Sequence, residues 1–141
     1  MGALKAHEVD GFIARPDLTE GVFLAYGPDA GLVREVGYRL SKRFAGAGAD
    51  DMNLLVIDGG ELEADPSRLA MEARTTSLFG DKRVIRVRGA GKGLTTVLAA
   101  LVEDPAGAVI IIEAGNLTPK DALRAMVEGA KLGRALPCYP D

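Results

Sequence analysis

A glycine-containing turn after an apolar stretch is the first place where residue types and spacing suggest chemistry. The letters YGPDAGLVREVG (26–37) directly follow the apolar run GVFLAY (21–26). A phosphate-binding loop occurs in this context as G-x-x-x-x-G-K-[ST], because its amides and lysine hold phosphates and its hydroxyl helps to hold magnesium. The turn therefore raises the question of nucleotide binding.

The side chains that this chemistry needs are replaced. Counted from Gly27, the second glycine, the lysine and the hydroxyl positions hold Leu32, Val33 and Arg34. Two further residues of the turn also depart from the pattern: Gly31 lies one place early, and Asp29 puts negative charge where a phosphate would lie. We interpret the turn as a degenerate phosphate loop that keeps the fold and has lost the chemistry. A protein that binds or hydrolyses nucleotides is the alternative.

A second glycine-rich turn, GAGKGLTT (89–96), also partly resembles a phosphate-binding loop. It contains Gly91 and Lys92, but Gly93 stands at the hydroxyl position and Arg86 at the position of the leading glycine. We interpret it as a loop. Lysines and arginines around it form a possible basic patch for DNA or an acidic partner, made of Lys82, Arg83, Arg86, Arg88 and Lys92.

The amino-acid composition excludes several kinds of site. His7 is the only histidine and Cys138 the only cysteine, so a zinc site of the Cys/His kind and an intrachain disulfide are excluded. We expect no metal, no cofactor and an intracellular, cytoplasmic protein. The net charge of −3 excludes attraction of the whole surface to nucleic acid. No long apolar run predicts a membrane span.

Elements that alternate along the chain must position these residues. Apolar runs with strand-forming residues predict strands at 21–26, 53–59, 83–89, 107–115 and 134–139. Periodicity and caps predict helices at 4–14, 31–44, 66–79, 92–103 and 118–130. Asp65 and Thr118 are the expected N-caps of two of these helices, each followed by proline. Strands that are apolar throughout predict a parallel five-stranded sheet with helices on both faces, in one domain over 1–141.

The ends of the strands lack the acids of a nucleotide hydrolase. Such a sheet needs carboxylates at a strand end to organise magnesium and water, whereas the strand at 83–89 ends in Arg86 and Arg88. Glu113 ends the next strand without a second acid, and we expect it to be a solvated or capping residue.

An apolar pair at the end of the helix at 66–79 is unusual. Helical geometry turns about 100° per residue, so Leu78 lies about 180° from Leu69, and Phe79 lies about 80° from it, at the margin of the core face. If the helix continues that far, Leu78 faces away from its own domain. Two interpretations stay open at this point: the pair enters a partner protein, or the helix ends early and the pair folds back under the sheet.

Three segments, in order, carry a resemblance to a known family: VFLAYGPDAGLVREVG (22–37), ARTTSLFGDKRVIRVRG (73–89) and VIIIEAGNLTPKDALRAMVE (109–128). The chain resembles the N-terminal domain of the delta subunit of bacterial DNA polymerase III, part of the sliding-clamp loader. ALPCYPD (135–141) is similar to the segment where that family leaves this domain.

The resemblance implies an AAA+ RecA-like, P-loop NTPase fold without a working ATP site and without catalysis of its own, in a complex that contains a nucleotidyltransferase. It implies that Leu78 and Phe79, with Ser77 beside them, insert into a pocket of the beta sliding clamp and help to open the ring for loading on primed DNA. The other implied partners are the tau/gamma and delta prime subunits. Their contacts are expected in C-terminal lid and collar domains that these 141 residues do not include.

Overall fold

A computed structural model describes residues 2–45, 54–74, 83–91 and 93–140. Over these ranges the chain forms five strands: β1 (Gly21–Tyr26), β2 (Leu54–Asp58), β3 (Val84–Arg88), β4 (Val109–Glu113) and β5 (Gly133–Pro137). Over the same ranges it forms six α-helices: α1 (Val9–Ala14), α2 (Ala30–Ala45), α3 (Gly59–Ala64), α4 (Ser67–Arg74), α5 (Leu94–Glu103) and α6 (Ala122–Gly129). A 3₁₀ turn, Ala6–Glu8, precedes α1.

The strands form one parallel sheet in the order β2-β3-β4-β1-β5. This confirms the expected parallel five-stranded sheet within the described part of the chain. β1 and β4 lie side by side in the interior, with Leu24 opposite Ile112, and all residues of both strands are buried. Their continuous apolar sequences follow from burial on both faces.

Helices cover both faces of the sheet and give three layers. On one face, α1 and α2 pack on the sheet through residues such as Phe12 and Leu40, and the ring of Phe23 lies 5.9 Å from Phe12 and 4.9 Å from Phe44. On the other face, α3, α4, α5 and α6 contribute a second cluster that includes Leu62, Leu69, Leu98 and Val127. The predicted layer architecture is therefore correct.

The two edges of the sheet differ. At the β5 edge, Ala3 pairs in parallel with Ala135, so the N-terminal segment covers that strand. β2 lies at the other edge, and its Val56 is 49% exposed. β2 is therefore less buried than the other four strands, although its sequence is as apolar as the prediction of a covered sheet requires.

Several predicted helix boundaries shift for local reasons. α3 was not predicted because Gly59 and Gly60 resemble a turn, yet the Asp58 carboxylate accepts a hydrogen bond from the Gly60 amide at 2.9 Å and caps a helix. α4 begins at Ser67 rather than at residue 66. α6 begins at Ala122 with Asp121 as its N-cap, so the assignment of this cap to Thr118 is wrong. The Thr118 amide instead donates to the Asp121 carboxylate at 2.7 Å.

Among the described residues, no helix combines the length and the apolar character that crossing a membrane requires.

Candidate functional site: the cleft at the carboxyl ends of the strands

A cleft of about 1000 Å³ opens at the carboxyl ends of the strands. β1 and β4 are neighbours, but the helices that follow them, α2 and α6, pack on opposite faces of the sheet. Such a switch point leaves a crevice where ligands of α/β proteins bind. Five elements contribute one charged residue each to its wall, namely Arg34, Asp58, Glu61, Arg88 and Glu113.

The turn between β1 and α2 contains the predicted degenerate phosphate loop. The Asp29 carboxylate accepts hydrogen bonds from the amides of Gly31 at 2.9 Å and Leu32 at 3.2 Å, and the Asp29 carbonyl accepts from the Val33 amide at 3.1 Å. Amides at the start of a helix are the groups that hold phosphate in a phosphate loop. Here the carboxylate of the turn itself binds two of them and adds negative charge.

Other residues of this turn serve the packing of the fold. Val33, at the lysine position, is buried in the core, and Leu32 is half-buried against the same cluster. Gly27 lines the cleft with a φ of 157°, and a Cβ atom there would collide with the Cys138 carbonyl. Gly27 is therefore required by close packing of the segment after β5. Arg34 is exposed at the wall of the cleft.

Glu113 is one of two buried polar or charged residues of the described chain, at 3% exposure. The expectation of a solvated or capping residue is therefore wrong. Arg86 Nε donates to Glu113 Oε2, and Arg86 Nη2 donates to the Arg34 carbonyl at 3.0 Å, while Arg88 Nε lies 4.0 Å from Glu113 Oε1. Because a buried carboxylate without a cation would be strongly destabilising, Arg86 is a partner that Glu113 requires.

α2 also contacts this ion pair. A Cβ atom on Gly37 would collide with Glu113 Oε2, so the carboxylate packs directly against the backbone of α2. The Arg86–Glu113 pair therefore connects β3 and β4 to α2 inside the cleft.

The alternation of side chains between the two faces of a strand gives a partial sequence signal for the Arg86–Glu113 ion pair. Arg86 and Arg88 are two residues apart on β3, so they face the same side of the sheet. The register places Arg86 opposite Ile111, two residues before Glu113. Knowledge of the pairing of β3 with β4 would thus have brought Glu113 to these arginines.

The family of the chain follows from comparison of its sequence with protein-family models. The model of the DNA polymerase III delta subunit matches residues 23–124, which is most of the chain. This chain belongs to the DNA polymerase III delta subunit family. The matched range includes the cleft, Glu113 and the segment with Leu78 and Phe79.

Solved structures support the fold of this delta-family domain. The Bacillus subtilis DNA clamp loader delta protein is similar with a TM-score of 0.70 and 19% identity, and the match covers 94% of this chain and 42% of that one. A DNA polymerase III gamma subunit-related protein from Thermotoga maritima has a TM-score of 0.60 and 11% identity, with coverages of 95% and 46%. The chain thus spans less than half the length of either structure. The curated proteins contain no match to the sequence.

The predicted clamp-binding residues of this delta-family domain, Ser77, Leu78 and Phe79, lie outside the described residues. α4, which precedes them, is described up to Arg74, with Leu69 and Ala73 buried in the core. The role of Ser77, Leu78 and Phe79 in clamp binding stays a prediction.

The predicted basic patch divides into residues with different surroundings. Arg83 Nη2 lies 3.0 Å from Glu72 Oε1, and Arg86 is bound to Glu113 as described above. Arg88 is more open, with 46% of its side chain exposed. Lys82 and Lys92 lie outside the described residues. Because Arg83 and Arg86 are paired with carboxylates, less positive charge faces solvent than the sequence suggests, and DNA binding stays a prediction.

A cluster that the sequence did not reveal lies at the end of β1. The guanidinium of Arg124 stacks 4.8 Å from the centre of the Tyr26 ring, and its Nη1 donates to the Leu117 carbonyl at 2.9 Å. Burial raises the pKa of Tyr26 to about 12, and burial likewise raises the pKa of the Cys138 thiol to about 11. Both groups therefore stay neutral at physiological pH, which favours a packing role over acid–base or nucleophilic chemistry.

Proposed function

We propose that this delta-family domain binds the beta sliding clamp by inserting Leu78 and Phe79 into an apolar pocket, with Ser77 beside them. The supporting observation is the family match, whose range of 23–124 contains this segment. In the cytoplasmic clamp-loader complex, this contact helps to open the ring for loading on primed DNA. The tau/gamma and delta prime subunits are proposed as further partners in this complex.

The described part of α4 supports the outward direction proposed for Leu78. Leu69 is fully buried, whereas Met71, about 200° further around the helix, is 63% exposed. Leu78 follows Met71 by seven residues, which is close to two helical turns, so a helix that continued from Arg74 to Leu78 would place Leu78 on the same side as Met71. Burial of one Leu or Phe is worth about 1.5–3 kcal/mol before the costs of association, which is enough for a hot spot.

We also propose that the domain keeps an AAA+ RecA-like, P-loop NTPase fold without nucleotide chemistry and acts as a non-catalytic subunit. Two features of the cleft support this. Asp29 binds the amides that would hold phosphate, and Val33 replaces the lysine. In addition, Arg86 neutralises Glu113, the acid at the end of β4. Calorimetric titration with Mg-ATP should show no binding, and a micromolar dissociation constant would instead favour a nucleotide-binding protein.

The clamp contact is tested by measuring the affinity of the chain for the beta sliding clamp of the same organism. Leu78→Ala/Phe79→Ala should weaken binding by at least tenfold, because each lost side chain is worth more than 1 kcal/mol at a hot spot. Tyr38→Ala is the matched control. Tyr38 is a large side chain that is 52% exposed, and it lies on α2, which packs on the face of the sheet opposite to α4. Equal affinity of wild type and the Leu78/Phe79 variant would contradict the proposal.

A further inference from the structure

We infer that the segment Gly2–Leu4 protects the outer edge of the sheet from pairing with a second copy of the chain. The segment occupies the side of β5 that faces away from β1, where Ala3 pairs in parallel with Ala135. Its displacement would open a surface through which two copies associate. The inference does not use the proposed clamp contact, and its test does not require the clamp.

β5 lies at an edge, so half of its backbone groups face away from its neighbour. Within the described sheet, β5 has β1 as its one neighbour. The amide of Val22 in β1 donates to the Leu132 carbonyl at 2.9 Å, and successive carbonyls of a strand point to opposite sides. Backbone groups of Gly133, Ala135 and Pro137 therefore face away from β1. Such a row of amides and carbonyls is a template for a strand of another molecule.

The outward-facing donors of β5 are bonded within the chain or missing. At the centre of the strand, the Ala135 amide donates to the Gly2 carbonyl at 2.8 Å, and the Leu4 amide donates to the Ala135 carbonyl at 3.1 Å. The Gly133 amide donates to the carbonyl of the residue that follows α6 at 3.3 Å. Pro137 has no amide hydrogen, and proline is one of the residues with which edge strands avoid pairing. The open position is therefore Ala135, and the segment Gly2–Leu4 closes it.

The segment is fixed at a second point, on the end of α6. The Gly2 amide donates to the Glu128 carbonyl at 2.9 Å, and this carbonyl is one of those that the last turn of a helix leaves without a helical partner. Gly2 is buried where a side chain has no room. A Cβ atom there would lie 2.5 Å from the Gly133 carbonyl oxygen and 2.9 Å from the carbonyl oxygens of Val127 and Glu128. Because these are backbone atoms that cannot turn aside, a residue larger than glycine would displace the segment from β5.

Displacement of the segment would expose a site that is complementary to itself. Two copies related by a two-fold axis can place Ala135 opposite Ala135 in an antiparallel pair, in which each residue donates its amide to the carbonyl of the other. These two bonds would replace the two that Gly2 and Leu4 now make. Leu4 also packs against the apolar cluster on the α2 face, so its departure would expose apolar surface beside β5. Because only a short stretch pairs, the association should be weak and should depend on concentration.

Gly2→Ala tests the inference by analytical ultracentrifugation of the chain at increasing concentration. Its weight-average mass should rise from that of a monomer towards about twice that value, whereas wild type should stay monomeric over the same range. Gly11→Ala is the matched control, because a Cβ atom on Gly11 has nothing within 4 Å, and it should behave like wild type. At low concentration, the Ala135 amide should exchange its hydrogen at least about tenfold faster in Gly2→Ala than in wild type. An unchanged mass or an unchanged exchange rate would overturn the inference.

A second variant separates pairing through β5 from association of unfolded chains. In Gly2→Ala/Ala135→Pro the exposed amide is missing, and an edge strand accepts proline where its amide faces outward. This variant should be monomeric, so a mass equal to that of Gly2→Ala would contradict pairing through β5. If circular dichroism shows that it does not fold, the exchange of Ala135 in Gly2→Ala decides, because pairing should protect this amide again as the concentration rises. Exchange that stays fast while the mass rises would show that the association uses another surface, and the inference would be wrong.

Discussion

Removal of one partner of the Arg86–Glu113 pair should strongly destabilise this domain. In Arg86→Met, Glu113 keeps its burial at 3% exposure, and the remaining cation, Arg88, is 4.0 Å away. Breaking a buried ion pair by removing one partner costs about 3–5 kcal/mol. With an unfolding entropy of about 2.1 cal/mol/K per residue over 141 residues, this corresponds to a fall in Tm of about 10–17 °C.

The double variant Arg86→Met/Glu113→Leu tests the physical reason. Apolar replacement of both partners removes the unpaired charge, so the free energy of unfolding should return to within about 2 kcal/mol of wild type. The matched control is Arg39→Met, because Arg39 also connects α2 to another element through an ion pair, with Asp10 at 2.8 Å, but Asp10 is 83% exposed. That variant should lose less than about 1 kcal/mol.

Urea titration followed by circular dichroism measures the free energy of unfolding of all four proteins. The reasoning is refuted if Arg86→Met loses no more stability than Arg39→Met. It is refuted equally if the double variant is as unstable as Arg86→Met, because the cost would then come from lost packing rather than from an unpaired charge.

Three further predictions concern the same region. Asp29→Ala should lower stability by about 1 kcal/mol, seen as a lower urea midpoint, because it removes the cap of α2. Gly37→Ala should cost about 1–3 kcal/mol because its Cβ meets the Glu113 carboxylate, whereas Gly11→Ala, with nothing within 4 Å, should be neutral or stabilising in the same titration. Folding favours the neutral phenol of Tyr26, whose pKa rises from 10.0 to about 12, so stability should fall as pH rises from about 10 to 12. Tyr26→Phe should reduce this fall, measured as Tm against pH, and an unchanged profile would contradict the assignment.

The sheet could be predicted from the sequence because its signal is local. β1 was predicted with its observed limits, and β4 within two residues at each end, because consecutive apolar residues, in β4 mostly β-branched ones, indicate strands that are buried on both faces. The buried residues Val36 and Leu40 of α2 are four positions apart, and this helical spacing is equally visible in the sequence. These features depend on neighbours that are close in the sequence.

The parts that could not be predicted depend on partners that are distant in the sequence. Glu113 was interpreted as a solvated acid because its partner, Arg86, is 27 positions away and the pairing of β3 with β4 was unknown. α3 was missed because two glycines outweighed the capping carboxylate of Asp58 and the burial of Leu62. In both cases, the tertiary contact decided a structure that the local sequence left ambiguous.

The three arginines around β3 show how one basic segment acquires separate roles. Arg83 stands at the amino end of the strand and holds α4 through Glu72, whereas Arg86 turns into the interior and neutralises Glu113. A strand rises about 3.3 Å per residue, so Arg83 lies about 16 Å from Arg88, where β3 ends at the cleft. At that distance energetic effects add independently. The ion pair of Arg86 with Glu113 can therefore stabilise the fold independently of the ion pair of Arg83 with Glu72 at the other end of β3.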